Sequence, residues 1–249
     1  MRTLIWFIYF WAYLLFLVPS MKKAERLQGE GKADECDTLT QKNTRAWANA
    51  LLRLAGVKVE IFGLENIPTE PCVYVCNHQG NFDIPILLTA LPRANGILAK
   101  KELQKLPFIR NWMQLLNCVF IDRKNPRQAI AALNTAVLHI KKGHSIIVFP
   151  EGTRSRCAAA AEFKAGAFKI ATKTKVKIVP LRIDGSYRVM EQNGGFIHPA
   201  EVKLTILPYV ETHGLTSEEA KELPGRLREI ITGEKTAPKE QTVAVTAPV

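Results

Sequence analysis

Several signatures are scarce or missing in this 249-residue sequence. It has no Gly-rich nucleotide loop and no GxSxG segment, so neither tight nucleotide binding nor a serine nucleophile of that type is expected. The five cysteines form no CxxC pair, which is typical of a reduced, cytosol-facing protein. The histidines are not grouped with cysteines or carboxylates as metal ligands would be, so no metal site is expected.

A hydrophobic run long enough to cross a bilayer comfortably is also missing. Residues 4–18 are apolar throughout, but a helix of that length spans only about 22 Å, whereas the hydrocarbon core is about 30 Å thick. The run lacks a small-residue cleavage pattern and is rich in aromatic residues, which prefer the membrane interface. We therefore expect an uncleaved helix in one leaflet, with nearby cations on lipid headgroups: Arg2, Lys22, Lys23 and Arg26.

Positive charge, in contrast, is abundant. The formal net charge is +11 and the sequence pI is about 9.5, which indicates an anionic partner. Nucleic acid is not expected as that partner, because no helix-turn-helix, zinc finger or aromatic RNA-binding signature is present. The anionic partner is therefore expected to be a phospholipid surface or a phosphorylated substrate.

The order of patterns predicts three regions. Residues 1–56 are expected to form a helical, membrane-associating segment, residues 57–232 a catalytic domain and residues 233–249 a disordered tail. A second helical pattern follows the polar stretch 28–41, with Trp47, Leu51 and Leu54 on one face. That face can contact either the catalytic domain or the membrane. Within 216–231 a terminal helix is expected, interrupted at Pro224.

Strand and helix patterns alternate in the middle of the chain, which predicts an α/β fold with a mostly parallel central sheet flanked by helices, behind an N-terminal helical membrane-anchoring element. Strands are predicted at 57–62, 72–76, 97–100, 118–122, 145–149, 178–183 and 202–207. Pro180 is expected to interrupt the sixth strand. Helices are predicted within 83–91, 107–116, 126–142 and 164–174.

The helix predicted at 126–142 has the clearest boundaries. Asn125 can cap its first turn, Pro126 suits that turn and Gly143 can end it. Its apolar face is predicted from helical spacing to contain Ile130, Leu133, Val137 and Ile140.

The segment NHQGNFD, residues 77–83, is the first candidate for chemistry. It places His78 and Asp83 five positions apart in a loop between a strand and a helix. A carboxylate can fix the tautomer of a histidine and stabilise its protonated form, so such a pair can act as a general base. Cys76, two positions before His78, can instead be a nucleophile or a small buried residue, and the second interpretation is favoured.

A second candidate follows the strand predicted at 145–149. The segment FPEGTRSR, residues 149–156, combines a glycine, a hydroxyl group and guanidinium groups. The glycine lets the backbone approach a ligand closely, and the three kinds of group together suit a phosphate. Arg123 ends another predicted strand. Ligands of parallel sheets bind beyond the carboxyl ends of the strands, so His78, Arg123 and Glu151 are expected near one another.

The chain resembles the glycerolipid acyltransferases in the order of four sequence blocks. These blocks are NHQGNFD, KKELQKLPFIRNWM with VFIDR, FPEGTRSR and IVPLRI. The resemblance is closest to the 1-acyl-sn-glycerol-3-phosphate acyltransferases, and compatible sequence extends over residues 57–209. The chain departs from the family pattern at Arg110-Asn111, where a glycine is usual, and at 157–161, which is Cys-Ala-Ala-Ala-Ala.

The resemblance implies transfer of a fatty acyl group from an acyl thioester to the sn-2 hydroxyl of lysophosphatidic acid, which makes phosphatidic acid. It implies His78 as base and Asp83 as its orienting acid. It also implies an acceptor site, which includes Lys100, Arg123, Glu151, Gly152, Thr153 and Arg154. Acyl-coenzyme A or acyl carrier protein is the expected donor, and no tightly bound cofactor is expected.

Three alternatives remain open from the sequence. The same chemistry can act on glycerol-3-phosphate or a lyso-aminolipid, or the histidine can activate water in a thioesterase or lipid hydrolase. A non-catalytic, basic membrane-binding protein is disfavoured by the four blocks. The expected location is the cytoplasmic face of the cell membrane, with the catalytic domain in the cytosol.

Overall fold

Three helices precede the sheet. The computed structural model describes residues 1–234, so 235–249, most of the predicted disordered tail 233–249, lie outside the described residues. The N-terminal helices are α1 (Arg2–Phe16), α2 (Val18–Gly29) and α3 (Ala33–Ala55). The polar stretch predicted between two helical pieces is therefore itself largely helical, and only the turn around Gly31, with φ +75°, separates α2 from α3.

Within residues 1–234 one sheet contains seven strands in the order β1-β7-β6-β2-β5-β3-β4. All neighbouring pairs are parallel except β6 with β7. The predicted α/β fold with a mostly parallel sheet is confirmed. The strands are β1 (Val57–Phe62), β2 (Val73–Cys76), β3 (Gly96–Lys100), β4 (Val119–Ile121), β5 (Ile146–Val148), β6 (Ile178–Asp184) and β7 (Ala200–Ile206).

Helices cover both faces of this sheet, so its central strands are buried on both sides. One face packs against α1, α3 and α4, and the other packs against α6, α7 and α8. The burial on both faces explains why the central strands are continuous apolar runs rather than alternating ones. The remaining helices are α4 (Asp83–Ala90), α5 (Ile109–Leu115), α6 (Pro126–Lys141), α7 (Lys169–Thr174) and α8 (Ser217–Thr232).

The face of α3 that contains Trp47 packs on the catalytic domain. Leu51 is 1% exposed within the same apolar cluster as the central strands, and Trp47 and Leu54 pack against that cluster. Of the two interpretations left open by the sequence, the structure therefore favours packing over membrane contact for this stripe.

Pro224 and Pro180 were expected to interrupt regular structure, but neither does. Helix α8 continues through Pro224, because Leu223, Leu227 and Ile231 form a buried stripe that offsets the lost backbone hydrogen bond. Strand β6 also continues through Pro180, whose carbonyl accepts a hydrogen bond from the Leu207 amide at 2.9 Å. Its ladder with β7 begins one residue later, at Leu181.

Helix α6 begins and ends as predicted, but its buried face is rotated. Asn125 caps the helix by accepting a hydrogen bond from the Gln128 amide at 3.2 Å, and Gly143 follows with φ +97°. Ile130, expected on the apolar face, is 57% exposed. The buried residues are Ala132, Ala136 and Ile140, because the small alanines let the helix approach the sheet closely.

Helix α1 has one packed and one open side. Trp6 and Leu14 are buried, and the Trp6 indole donates to the Leu51 carbonyl at 2.9 Å. No helix in the described part of the chain is by itself long and apolar enough to cross a membrane; α1 and α2, bent by 47°, reach that length and composition only as a pair. Large apolar side chains on the open side of α1 include Leu4, Ile5, Ile8, Leu15 and Phe16.

Candidate active site

The carboxyl ends of the parallel strands β2, β3, β4, β5 and β6 meet at one edge of the sheet. The loops that follow these strands contain the predicted site residues, as expected for an open parallel sheet. Strands β1 and β7 run the opposite way and end at the far edge. The topology therefore gathers the separate sequence blocks at one place.

His78 and Asp83 form a direct pair at this edge. The imidazole Nδ1 lies 2.7 Å from Asp83 Oδ2, and the carboxylate is fully buried at the start of α4. Two further donors bind the same carboxylate: the Gly80 amide at 3.0 Å and the Ser186 hydroxyl. These three donors compensate a buried charge that would otherwise be costly.

The pairing leaves the other imidazole nitrogen available. Since an ionised Asp83 only accepts hydrogen bonds, Nδ1 carries the proton and Nε2 presents its lone pair. The ring stacks on Phe149, with centroids 4.0 Å apart and planes at 24°, and the His78 side chain remains 17% exposed. The arrangement can remove a proton from a hydroxyl group that reaches Nε2.

Two amide side chains in the same loop fix it to β6. The Asn77 amide donates to the Ile183 carbonyl at 2.9 Å and accepts from the Ile183 amide at 2.8 Å, which continues the strand pairing through a side chain. Gln79 accepts from the Gly185 amide at 3.0 Å. Both amides are buried, so the backbone on either side of His78 is held in place.

Glu151 lies beneath the base and contacts it through the backbone of His78. Its carboxylate accepts from the His78 amide at 2.7 Å and from the Ala161 amide at 2.8 Å, and the residue is 2% exposed. Burial raises the pKa of the Glu151 carboxyl, and the two backbone donors oppose that rise. Ser155 adds a second link by donating its amide hydrogen to the His78 carbonyl at 2.7 Å.

Gly152 brings two cations together. It has φ +78°, and a Cβ at this position would lie 3.2 Å from the Arg123 guanidinium and 3.1 Å from the Lys164 ammonium. Any side chain here would fill the space between them. Arg123 and Lys164 are both exposed, so two cations that can bind a phosphate lie on either side of Gly152.

The other predicted substrate residues differ in their surroundings. Arg154 is held by Asn81 and by Glu191, whose carboxylate lies 3.3 Å from Nη1. Thr153 is exposed in the same loop, and Lys100 is exposed at the end of β3. The neighbouring Lys101, rather than Lys100, pairs with Asp122, at 2.5 Å.

Cys76 does not form a nucleophile pair with His78. The cysteine is fully buried, and burial raises the pKa of its thiol well above the usual range. Its sulfur lies 4.0 Å from Asn77 Oδ1, while the imidazole binds Asp83. The interpretation of Cys76 as a small buried residue agrees with this environment.

Sequence reasoning missed Ser186, Glu191 and Lys164. Ser186 and Glu191 follow β6, beyond the fourth block, and Lys164 follows the alanine-rich loop. One signal was available for Ser186: it lies three residues beyond the predicted strand 178–183, near the end at which ligands of a parallel sheet bind. Glu191 and Lys164 carried no such signal, because neither follows the end of a predicted strand closely.

An apolar cavity of about 170 Å³ lies between the N-terminal helices and the catalytic domain. Helices α1, α3, α4 and α5 and strand β3 all contribute to its wall. Ile84, which directly follows Asp83, is part of the lining, so the cavity extends along the helix that starts at the site. Other lining residues include Leu17, Trp47, Leu88, Leu103, Trp112 and Met113.

Comparison with known families assigns the chain to a family. The family model described as Acyltransferase matches residues 58–184, a range that contains His78, Asp83, Arg123, Gly152 and Lys164. The chain therefore belongs to the acyltransferase family.

Individual relatives are named more specifically. The chain is 43% identical over 145 residues to the probable 1-acyl-sn-glycerol-3-phosphate acyltransferase of Mycoplasma pneumoniae, covering 56% of this chain and 54% of that protein. It is 31% identical over 188 residues to the 1-acyl-sn-glycerol-3-phosphate acyltransferase of Borreliella burgdorferi, covering 75% of each chain. The chain thus spans about half the length of the Mycoplasma relative and three quarters of the length of the Borreliella relative.

A solved structure is similar over nearly the whole chain. The crystal structure of the 1-acyl-sn-glycerophosphate acyltransferase PlsC from Thermotoga maritima superposes with a TM-score of 0.75 at 28% identity. The match covers 94% of this chain and 95% of that one.

The two hydrogen bonds to Glu151 give a test of its role beneath the base. Glu151→Gln should lower the free energy of unfolding by about 1–3 kcal/mol, because an amide offers only one acceptor and turns a donor toward a backbone N–H. Chemical denaturation measures the change. Glu162→Gln removes an exposed carboxylate nearby and should stay within about 0.5 kcal/mol of the wild type. Equal stability of both variants would contradict a supporting role for Glu151.

Proposed function

We propose that this chain transfers a fatty acyl group from an acyl thioester to the sn-2 hydroxyl of lysophosphatidic acid and so forms phosphatidic acid. The observation that carries the proposal is the His78–Asp83 pair beside a loop flanked by Arg123 and Lys164. The names of the Mycoplasma and Borreliella relatives and of the Thermotoga structure support the same acceptor.

In the proposed step, Nε2 of His78 accepts the proton of the acceptor hydroxyl. The hydroxyl oxygen attacks the thioester carbonyl carbon, a C–O bond forms and the C–S bond breaks. The protonated imidazole then returns its proton to the thiolate that leaves, so proton and charge balance within one turnover. Asp83 stays ionised and stabilises the imidazolium, and no acyl-enzyme is formed.

The acceptor phosphate is assigned to the loop after β5. Arg123 and Lys164 supply charge on both sides of Gly152, and the hydroxyl of the exposed Thr153 can donate to a phosphate oxygen. Arg154 lies on the side of this loop nearest Asn81. Lys100 is proposed as an outer contact, whereas Glu151 supports the site from below.

The acyl donor is proposed to be acyl-coenzyme A or acyl carrier protein, which carries the acyl group without being a resident cofactor. The apolar cavity beside α4 suits a hydrocarbon chain, since its lining is almost entirely aliphatic, aromatic and thioether side chains. Burying a chain there would place its carboxyl end toward the start of α4, where Asp83 lies.

A membrane location on the cytoplasmic face is proposed from α1. Its open side presents large apolar side chains, whereas its other side is packed on the catalytic domain. A helix with one packed side fits a position in one leaflet better than a full span. Lys23 is exposed next to this helix, while Lys22 and Arg26 pair with Glu25 and Glu30.

Loss of the base tests the proposed chemistry. His78→Ala should lower acyl transfer to lysophosphatidic acid by roughly 10²–10⁴-fold, the usual contribution of general-base catalysis. The measurement is formation of phosphatidic acid, free fatty acid and free thiol by purified protein in mixed micelles. His213→Ala, which removes an exposed histidine, should keep wild-type turnover. A folded His78→Ala protein with wild-type turnover would contradict the role of His78, and free fatty acid as the main wild-type product would indicate a hydrolase instead.

A second substitution tests the acceptor site. Arg123→Lys should raise the apparent Michaelis constant for lysophosphatidic acid by roughly ten- to a hundredfold, because an ammonium cannot reproduce the planar, two-pronged contact of a guanidinium. The constant for the acyl donor should change little. Steady-state kinetics with both substrates varied gives both constants. Arg226→Lys, on the exposed side of α8, is the matched control. A change confined to the donor constant would move Arg123 to the donor site.

Substitutions on the open side of α1 test membrane attachment. Leu4, Ile8 and Leu15 are 67%, 61% and 55% exposed, and burial of each such side chain in lipid is worth about 1.5–3 kcal/mol. The triple substitution to serine should therefore weaken binding to anionic vesicles by at least about a hundredfold. Ile130→Ser with Leu138→Ser removes two equally exposed side chains of α6 and should leave sedimentation with vesicles unchanged. Equal binding by both proteins would place the attachment elsewhere.

A further inference from the structure

Glu191 connects two loops of the site although it belongs to neither. It lies in a short 3-10 helix, Glu191–Asn193, beyond the last sequence block. Its Oε1 accepts the amide hydrogen of Asn81 at 2.7 Å and lies 3.3 Å from Nη1 of Arg154. Nη1 of Arg154 also donates to the side-chain carbonyl of Asn81. One carboxylate therefore joins the loop that contains His78 to the loop that contains Gly152.

The glycine of the first block makes room for this carboxylate. A Cβ on Gly80 would lie 2.4 Å from Oε2 of Glu191, closer than real side chains approach. The Glu191 side chain is only 4% exposed, and its Oε2 is buried with no protein hydrogen-bond partner among the described residues. Burying a carboxylate oxygen without a hydrogen bond costs free energy, so such a carboxylate is unusual unless its charge has a function.

The contacts of Arg154 indicate what that function is. Both hydrogens of Nη1 are directed to Asn81 and Glu191, which fixes one edge of the guanidinium. The other edge, formed by Nε and Nη2, has no protein partner among residues 1–234, and the side chain is 32% exposed. That edge carries two parallel N–H donors, the arrangement that binds two oxygens of one phosphate.

We infer that Glu191 is a positioning residue, which holds Arg154 so that its Nε–Nη2 edge faces the phosphate of the acceptor. The inference rests on the proposed function and adds to it a determinant of acceptor recognition outside the four sequence blocks. Glu191 touches neither the acceptor nor the reacting atoms. It acts through Arg154, and its selective effect should therefore disappear when the acceptor has no phosphate.

A purely structural role makes a different prediction. If Glu191 only held the two loops together through the Asn81 amide, its loss would disturb His78 as well, and turnover of every acceptor would fall alike. Glu191→Gln separates the two roles, because glutamine keeps the shape and an oxygen for the Asn81 amide but lacks the charge that pairs with Arg154.

The experiment compares wild type and Glu191→Gln with two acceptors, lysophosphatidic acid and the phosphate-free 1-acylglycerol. Glu191→Gln should raise the Michaelis constant for lysophosphatidic acid about tenfold, the size expected for one charged hydrogen bond. The donor constant and the turnover of 1-acylglycerol should stay within about twofold. In an Arg154→Lys background the same substitution should have at most about a third of its effect, because the two residues act as one unit.

The controls decide how each result is interpreted. Glu65→Gln removes an exposed carboxylate from the segment after β1, at the opposite edge of the sheet, and should change neither constant. Glu191→Asp keeps the charge but withdraws it by one methylene, so it should give a smaller, equally selective increase in the Michaelis constant for lysophosphatidic acid. This variant decides the question if the glutamine variant does not fold. An equal loss with both acceptors, or full effects in the Arg154→Lys background, would overturn the inference.

Equilibrium binding separates this inference from the proposed function. If the wild-type protein makes no phosphatidic acid, the proposed function fails. Calorimetric titration with lysophosphatidic acid in micelles then still measures the phosphate contact. Glu191→Gln should weaken that binding about tenfold and leave binding of 1-acylglycerol unchanged. Unchanged affinity for lysophosphatidic acid would overturn the positioning role.

Discussion

The structure of the site depends on the buried carboxylate of Asp83. A charge without solvent is tolerated only when donors surround it, and here the donors come from His78, Gly80 and Ser186. The first two belong to the loop after β2 and the third follows β6. The need to satisfy one carboxylate therefore fixes the loop conformation, the ring orientation of His78 and the position of the β6 end at once.

A second buried carboxylate supports the same loop from below. Glu151 binds the His78 amide, and the adjacent Gly152 lies between Arg123 and Lys164. The segment that supports the base is thus continuous with the segment assigned to phosphate, so base and acceptor site cannot move independently. On the other side of α4 the apolar cavity and the N-terminal helices form one packed unit, and the acyl chain proposed to bind in that cavity would lie beside the reacting group.

Much of this arrangement was predictable where the physical cause is local. Strand and helix periodicity predicted the parallel sheet, and the rule on strand ends brought His78 and Glu151 to one edge. The exact burial was less predictable. The rotation of α6 follows from close packing by alanines, and Pro224 is tolerated because tertiary contacts outweigh a missing hydrogen bond. Partners more than a hundred residues away, such as Glu191 for the Asn81 amide, leave no mark in local sequence.

Nitrogen-15 NMR of the histidine ring tests the central claim most directly. The account predicts that, in neutral His78, Nδ1 carries the proton that Asp83 accepts and Nε2 is unprotonated. Protein labelled at histidine, with His78→Ala used to assign the signal, should show that single tautomer at pH values where the ring is neutral. Asp83→Asn should convert it to a mixture. A wild-type His78 protonated at Nε2, or a tautomer unaffected by Asp83→Asn, would contradict the assignment of this residue as a base held by the buried carboxylate.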